Sequence, residues 1–293
     1  MFYLVLHIIF STGFGLVVKD AQVRARNLWA VGAVNYFVAA IGAFISLIWV
    51  VRATPDLHFL ASSPPTFIVG VFAGIGYVVS YFFLLTIVQT DGISVPMAVV
   101  RLSAMIPVLF SIFYWREKPN LYQVLGIACV CLVLPLLSQN HPPQHGNQPK
   151  PKREGRQGKY LILVLFLLTG WCALSTKLFV QVSPQDPREF FLFFLFGTSA
   201  VVSLIPLVVL RILPTLPDLL SGILLGLCNV FGNHFLLIAL TQLPGIIVFP
   251  ISSALGIALN TVLAVAVWKE KLRWPVIVGL TISVLALVLI NLK

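Results

Sequence analysis

Apolar runs long enough to cross a bilayer, about 20 residues each, follow one another along the whole chain and are separated by short joints that carry charge or proline. They predict ten helices, at 2–19, 29–51, 66–88, 93–115, 120–138, 160–180, 190–212, 218–240, 246–268 and 274–291. Backbone groups must be paired inside hydrocarbon, and runs rich in Leu, Phe and Ile without alternation at every second residue suit helices rather than barrel strands. The fold class expected is therefore all-α, a polytopic membrane protein of about ten transmembrane helices. The first basic side chain, Lys19, follows the apolar run MFYLVLHIIFSTGFGLVV instead of preceding it, so that run reads as a first spanning helix and not as a secretory signal.

Composition agrees. Of 293 residues 59% are hydrophobic and only 10% charged, with a mean hydropathy of +1.01, against about 25% charged in soluble domains. Ten spans use nearly all the length and leave no room for a sizeable soluble domain. The net charge of +10 comes from Lys and Arg spread between apolar runs, not from one basic face, so the partners expected are the lipid bilayer and a small-molecule substrate, with no nucleic acid. Cys129, Cys131, Cys172 and Cys228 lie within apolar runs without CxxC spacing, and read as small buried hydrophobes. No metal or cofactor is expected.

Between the fifth and sixth runs stands SQNHPPQHGNQPKPKREGRQGK, basic, rich in Pro, Gln and Gly, and free of apolar residues. It reads as a flexible linker at 139–158, and its His141 and His145 lack carboxylate or Cys partners in the chain nearby. The halves it separates, 1–138 and 159–293, match each other. Setting Glu117 on Glu270, a register of 153, also pairs Phe82 with Phe235, Gln89 with Gln242, Gly92 with Gly245, Trp115 with Trp268 and Gly126 with Gly279. Greasy helices match by chance at Leu and Ile, but not at a W-[RK]-E-K joint followed by Gly at equal distance, so the duplication is read as real. Five helices per half is an odd number. Consecutive halves would then enter the membrane in opposite orientations, as two inverted five-helix repeats of the kind secondary transporters use.

These same residues carry a resemblance to a known family. The joints YWREKPNLYQVLG and VWKEKLRWPVIVG, the small-residue first and sixth helices each ending in Lys, and the central linker resemble the ten-helix drug/metabolite transporter superfamily, its EamA-like branch in particular. The resemblance covers nearly the whole chain and implies transport of a small metabolite, with the fourth and ninth helices lining a central cavity. The first span has no acidic residue, unlike small multidrug relatives that couple to protons through a membrane-embedded Glu. Twelve Lys and Arg fall in connections after odd-numbered helices, against five on the other side plus Lys177, which places both termini outside the cytoplasm; the resemblance implies the opposite orientation.

A charge at bilayer depth costs at least about 2.5 kcal/mol, and Arg101, about 12 Å into the fourth helix at 1.5 Å per residue, is the deep one. An inward guanidinium would suit a carboxylate or phosphate, or else bond carbonyls freed by Pro96 and Pro107. The other candidate substrate-binding residues are Ser103, Ser252 and Asn260 on the fourth and ninth helices, His234 with Asn229 and Asn233 beside it, and Tyr81, the repeat counterpart of His234. Each has an ordinary packing role as its alternative. Gly70 with Gly74, and Gly222 with Gly226, form GxxxG pairs and read as helix packing.

The nine Asp and Glu read as lying at joints or loops, and no Ser-His-Asp order, HExxH or phosphate loop is present. The expectation is a non-enzymatic integral membrane carrier of the cell membrane, working by alternating access on amino acids, organic acids or phosphorylated compounds, as an exporter or an exchanger, monomer or homodimer. The alternative is a non-transporting membrane scaffold or receptor helix bundle.

Overall fold

The computed structural model describes residues 1–53, 64–91, 99–100, 102–138, 156–268 and 274–291. Among them the backbone forms helices and no strands, as α1 (Phe2–Val23), α2 (Leu28–Ala53), α3 (Pro64–Asp91), α4 (Met105–Phe113), α5 (Leu121–Ser138), α6 (Arg156–Val182), α7 (Arg188–Val209), α8 (Leu216–Gln242), α9 (Gly245–Trp268) and α10 (Trp274–Asn291). Seven of these, α1, α2, α3, α6, α7, α8 and α9, are long and apolar enough to cross a membrane, and they mark the chain as a membrane protein. The linker expected at 139–158 lies almost wholly outside the described residues. α5 and α10 begin and end 153 residues apart, in the register that aligns the two joints.

Helix ends follow local chemistry. α1 and α7 both close on a non-glycine residue in the left-handed region, Ala25 at φ 52° and Arg211 at φ 51°. Each is followed by the paired bonds of a Schellman turn: Ala25 and Arg26 N–H to Gln22 and Ala21 carbonyls, and Arg211 and Ile212 N–H to Val208 and Leu207 carbonyls. α8 opens on a carboxylate cap. The Asp218 carboxylate accepts from the Thr215 N–H and hydroxyl and, across the chain, from the Asn27 N–H at 3.1 Å, which ties the α1–α2 turn to the start of α8. α5 opens on a reciprocal pair, Asn120 with Gln123. The sequence suggests that Glu117 caps this helix or pairs with Lys118. In the structure its carboxylate accepts from Gly245 and Ile246 N–H, at 3.2 and 3.1 Å, and so caps α9.

The expected fourth helix is interrupted. Residues 103–104 form a turn between helical residues at 99–100 and 102 and α4. Pro107 has no N–H to give the Ser103 carbonyl, which accepts from Ile106 N–H at 2.9 Å instead, a tighter bond that breaks the α ladder. Pro250 by contrast sits inside a continuous α9.

The chain divides into two compact units, and each takes pieces of both sequence halves: Met1–Tyr81 with Ser175–Gln242, and Phe82–Leu174 with Leu243–Lys293. In the second unit α5 packs on α10, and α9 packs on α4, α5 and α10. In the first unit α8 packs against α1, α2 and α7, and α2 against α7. Its closest seams run through the two GxxxG pairs, as the sequence suggests. Gly70 and Gly74 of α3 back onto Phe194, Leu195 and Thr198 of α7, while Gly222 and Gly226 of α8 back onto Val31, Val34, Asn35 and Val38 of α2. The third helix of each half thus leans on the second helix of the other. Small residues let these backbones approach where lipid offers no hydrophobic drive for association.

Candidate functional site

Tyr77 falls at the middle of α3 and Asn229 at the middle of α8, so side chains there lie deepest in an apolar span. They are linked in one string of hydrogen bonds within the first unit. Tyr36 of α2 donates its hydroxyl to the Tyr77 carbonyl at 2.9 Å, and the Tyr77 hydroxyl donates to Asn233 Oδ1 at 2.9 Å. Asn233 Nδ2 donates to Asn229 Oδ1 at 2.9 Å, and Asn229 Nδ2 to Asn35 Oδ1 at 3.1 Å. Asn35 is fully buried, and its Nδ2 finds no hydrogen-bond partner among the described residues. A buried donor left open in hydrocarbon surroundings costs about 1–3 kcal/mol. The string is uncharged, and its free end is an amide N–H suited to an acceptor group of a ligand.

The seam glycines place this string. Gly226 rests on the Asn35 carbonyl, one turn before Asn229, so close contact of α8 with α2 brings the two amides into reach. On the other side of α8, His7 of α1 donates Nδ1–H to the Gly232 carbonyl at 2.8 Å, and Tyr3 stacks on Phe235.

A second polar group borders it. Glu189, in the first turn of α7, is only 5% exposed. Its Oε1 lies 3.2 Å from Arg188 Nε and 4.0 Å from His234 Nδ1. The sequence reading leaves Glu189 in a joint outside the spans. The structure starts α7 at Arg188 and buries the carboxylate where the helix dipole favours it. Lys177, which the sequence sets at the end of the sixth helix, is 2% exposed within α6, with Ser175 and Thr176 buried beside it.

The other candidates from sequence are distributed differently. Arg101 lies outside the described residues. Ser103 is buried and donates to the Val100 carbonyl at 2.7 Å, and Asn260 donates to the Gly256 carbonyl at 2.9 Å, so both side chains are turned back onto their own stretch of chain. Ser252 has a buried Oγ without a hydrogen-bond partner among the described residues. Tyr81 packs its ring on Gly32 and gives its hydroxyl to the Leu28 carbonyl at 3.3 Å, joining α3 to α2. Of the aromatic pair on α3 it is Tyr77 that meets the asparagines. Asn35, Tyr36 and Glu189 escape a sequence reading; a lone Asn within an apolar run was the available signal for the first. No group of three or more potential metal ligands occurs among the described residues.

No family model matches the chain, and no curated protein matches it. Solved structures do resemble it: one, described only as "Crystal structure of protein", aligns over 99% of this chain and 95% of that one, with a TM-score of 0.74 and 16% sequence identity. At that identity the likeness establishes a shared fold.

Proposed function

We propose that the protein is a secondary transporter that carries a small polar metabolite across the cell membrane by alternating access, through ten spans arranged as two inverted five-helix repeats. One observation carries the reading: a continuous string of hydrogen-bonded polar side chains from α2, α3 and α8 at mid-span, ending in a buried amide donor with no partner among the described residues. Carrier sites sit at this depth and between repeats. The duplication in register 153, the crossed glycine seams and the broken helix at Ser103 support the same architecture, as does the resemblance to the EamA-like branch of the drug/metabolite transporters. The substrates proposed are amino acids, organic acids or phosphorylated compounds. Tyr77, Asn35, Asn229 and Asn233 would bind their neutral polar part; that Arg101 contacts an anionic group is proposed from the sequence alone.

The test is a thermal-shift screen of the detergent-purified chain against those classes, followed by uptake into proteoliposomes. A ligand at 100 times its Kd adds about 2.7 kcal/mol of stability. Stabilisation by one class, weakened in Tyr77→Phe and Asn233→Ala, supports the site, and a further loss in Arg101→Ala supports the anionic contact. A protein that responds to no compound and takes none up would instead be a helix-bundle scaffold.

A further inference from the structure

Glu189, 5% exposed in the first turn of α7, holds its Oε1 3.2 Å from Arg188 Nε and 4.0 Å from His234 Nδ1 of α8. Two ionisable side chains of neighbouring helices, a carboxylate and an imidazole, therefore meet inside apolar spans, next in the chain to Asn233 of the polar string. Ionisable groups in apolar spans are costly and accompany ion or proton pathways.

The groups around His234 can be named helix by helix. From α7 come Glu189, 4.0 Å from the imidazole, and Arg188, paired with Glu189. From α1 come His7, bonded to the Gly232 carbonyl, and Tyr3, stacked on Phe235. From α3 comes Tyr77, bonded to Asn233, and from α2 the uncharged Asn35 with Tyr36. α8 itself carries Cys228 and, in its first turn, Asp218.

We propose that His234, held against Glu189, is a proton-binding site that couples proton movement to transport. The proposal rests on the carrier reading above. The imidazole takes a proton from water on one side of the membrane and its ring N–H is then donated to Glu189 Oε1. After the carrier has turned, that proton returns to water on the other side. Arg188 remains the counterion of Glu189 in both states, so the carboxylate is never left uncompensated. Asn233, the neighbour of His234 in the chain, holds the Tyr77 hydroxyl, so a shift of this turn of α8 towards α7 reaches the polar string directly.

Two measurements on the full-length protein test it. In the first, protein labelled with 15N-histidine is titrated by NMR in detergent, with His234→Gln identifying its resonance among the five histidines. His234 should take up a proton as the pH is lowered across the range in which the protein stays folded, with its midpoint lower in Glu189→Gln, where a favourable negative charge is gone. A ring that stays uncharged over that range, or whose midpoint ignores Glu189→Gln, overturns the proposal. In the second, proteoliposomes loaded with the pH dye pyranine take up the compound that gives the largest thermal shift among the amino acids, organic acids and sugar phosphates screened. Protons moved per molecule are then counted. The ratio should fall to zero in His234→Gln and His234→Asn whatever their uptake rate, because a ratio does not depend on how much protein is active. Uptake without proton movement in the wild type, or an unchanged ratio in either variant, overturns coupling while leaving the carrier reading standing. No uptake of any compound by correctly folded wild type would overturn both.

Discussion

Gly226→Ala is the sharpest perturbation of the seam that positions the polar string. A Cβ at this position would stand 2.7 Å from both the Asn35 carbonyl oxygen and Val38 Cβ on α2. The first obstacle is backbone and cannot rotate away. Restoring contacts of about 3.4 Å or more requires α2 and α8 to part by roughly 0.7 Å, and overpacking of this kind costs about 1–3 kcal/mol. The same parting stretches the 3.1 Å bond from Asn229 to Asn35, and interhelical bonds in membranes are worth about 0.6 kcal/mol on average. The expected loss is about 1.5–3.5 kcal/mol, which for a chain of this size lowers Tm by about 3–10 °C. Gly197→Ala is the matched control. No neighbouring atom lies within 4 Å of a Cβ built there, so the helix gains up to about 1 kcal/mol from Ala propensity and meets nothing. Thermal melting of both variants in the same detergent gives the comparison. Equal melting of Gly226→Ala and wild type, or an equal drop in both variants, would refute the claim that close approach at Gly226 holds these helices.

Other consequences are open to the same assay. Asp218→Ala removes the cap of α8 and leaves the Asn27 N–H without its acceptor, so it should cost about 2–3 kcal/mol and expose the α1–α2 turn to limited proteolysis. Glu117→Ala should cost about 1–2 kcal/mol through the lost cap of α9, and Glu117→Gln less than half of that, because an amide oxygen still accepts one of the two N–H groups. Ala25→Gly should raise stability by about 1 kcal/mol, since Ala25 is exposed and held at φ 52° where glycine is unstrained.

Helix positions were legible in the sequence because apolar length is the same physical quantity in both readings; α5 and α10 agree with expectation to within a residue at each end. The glycine pairs were legible as packing for the same reason, since a missing side chain has few other uses inside a membrane. Partners were not legible. Glu117 sits three residues before Asn120, and nothing local tells that its carboxylate reaches the start of α9 while Asn120 and Gln123 cap α5. Tyr77 and Tyr81 are one turn apart and equally aromatic; only the crossing of α2 and α8 decides that Tyr77 meets Asn233 while Tyr81 meets the backbone of α2. Glu189 escaped because helix starts are uncertain by a residue or two, and a shift of two moved a carboxylate from a joint into a buried first turn.

The crossed seams also set an order of events during synthesis. Gly70 and Gly74 leave the ribosome more than a hundred residues before Leu195 and Thr198, against which they pack. At about 5–20 residues per second, α3 waits roughly 6–25 s for its partner. Through that interval its glycine groove faces lipid or the insertion machinery, so α1 to α3 cannot finish folding until the second half arrives. A chain cut within the central linker should assemble when both fragments are made together, whereas 1–138 made alone should be degraded as an orphan.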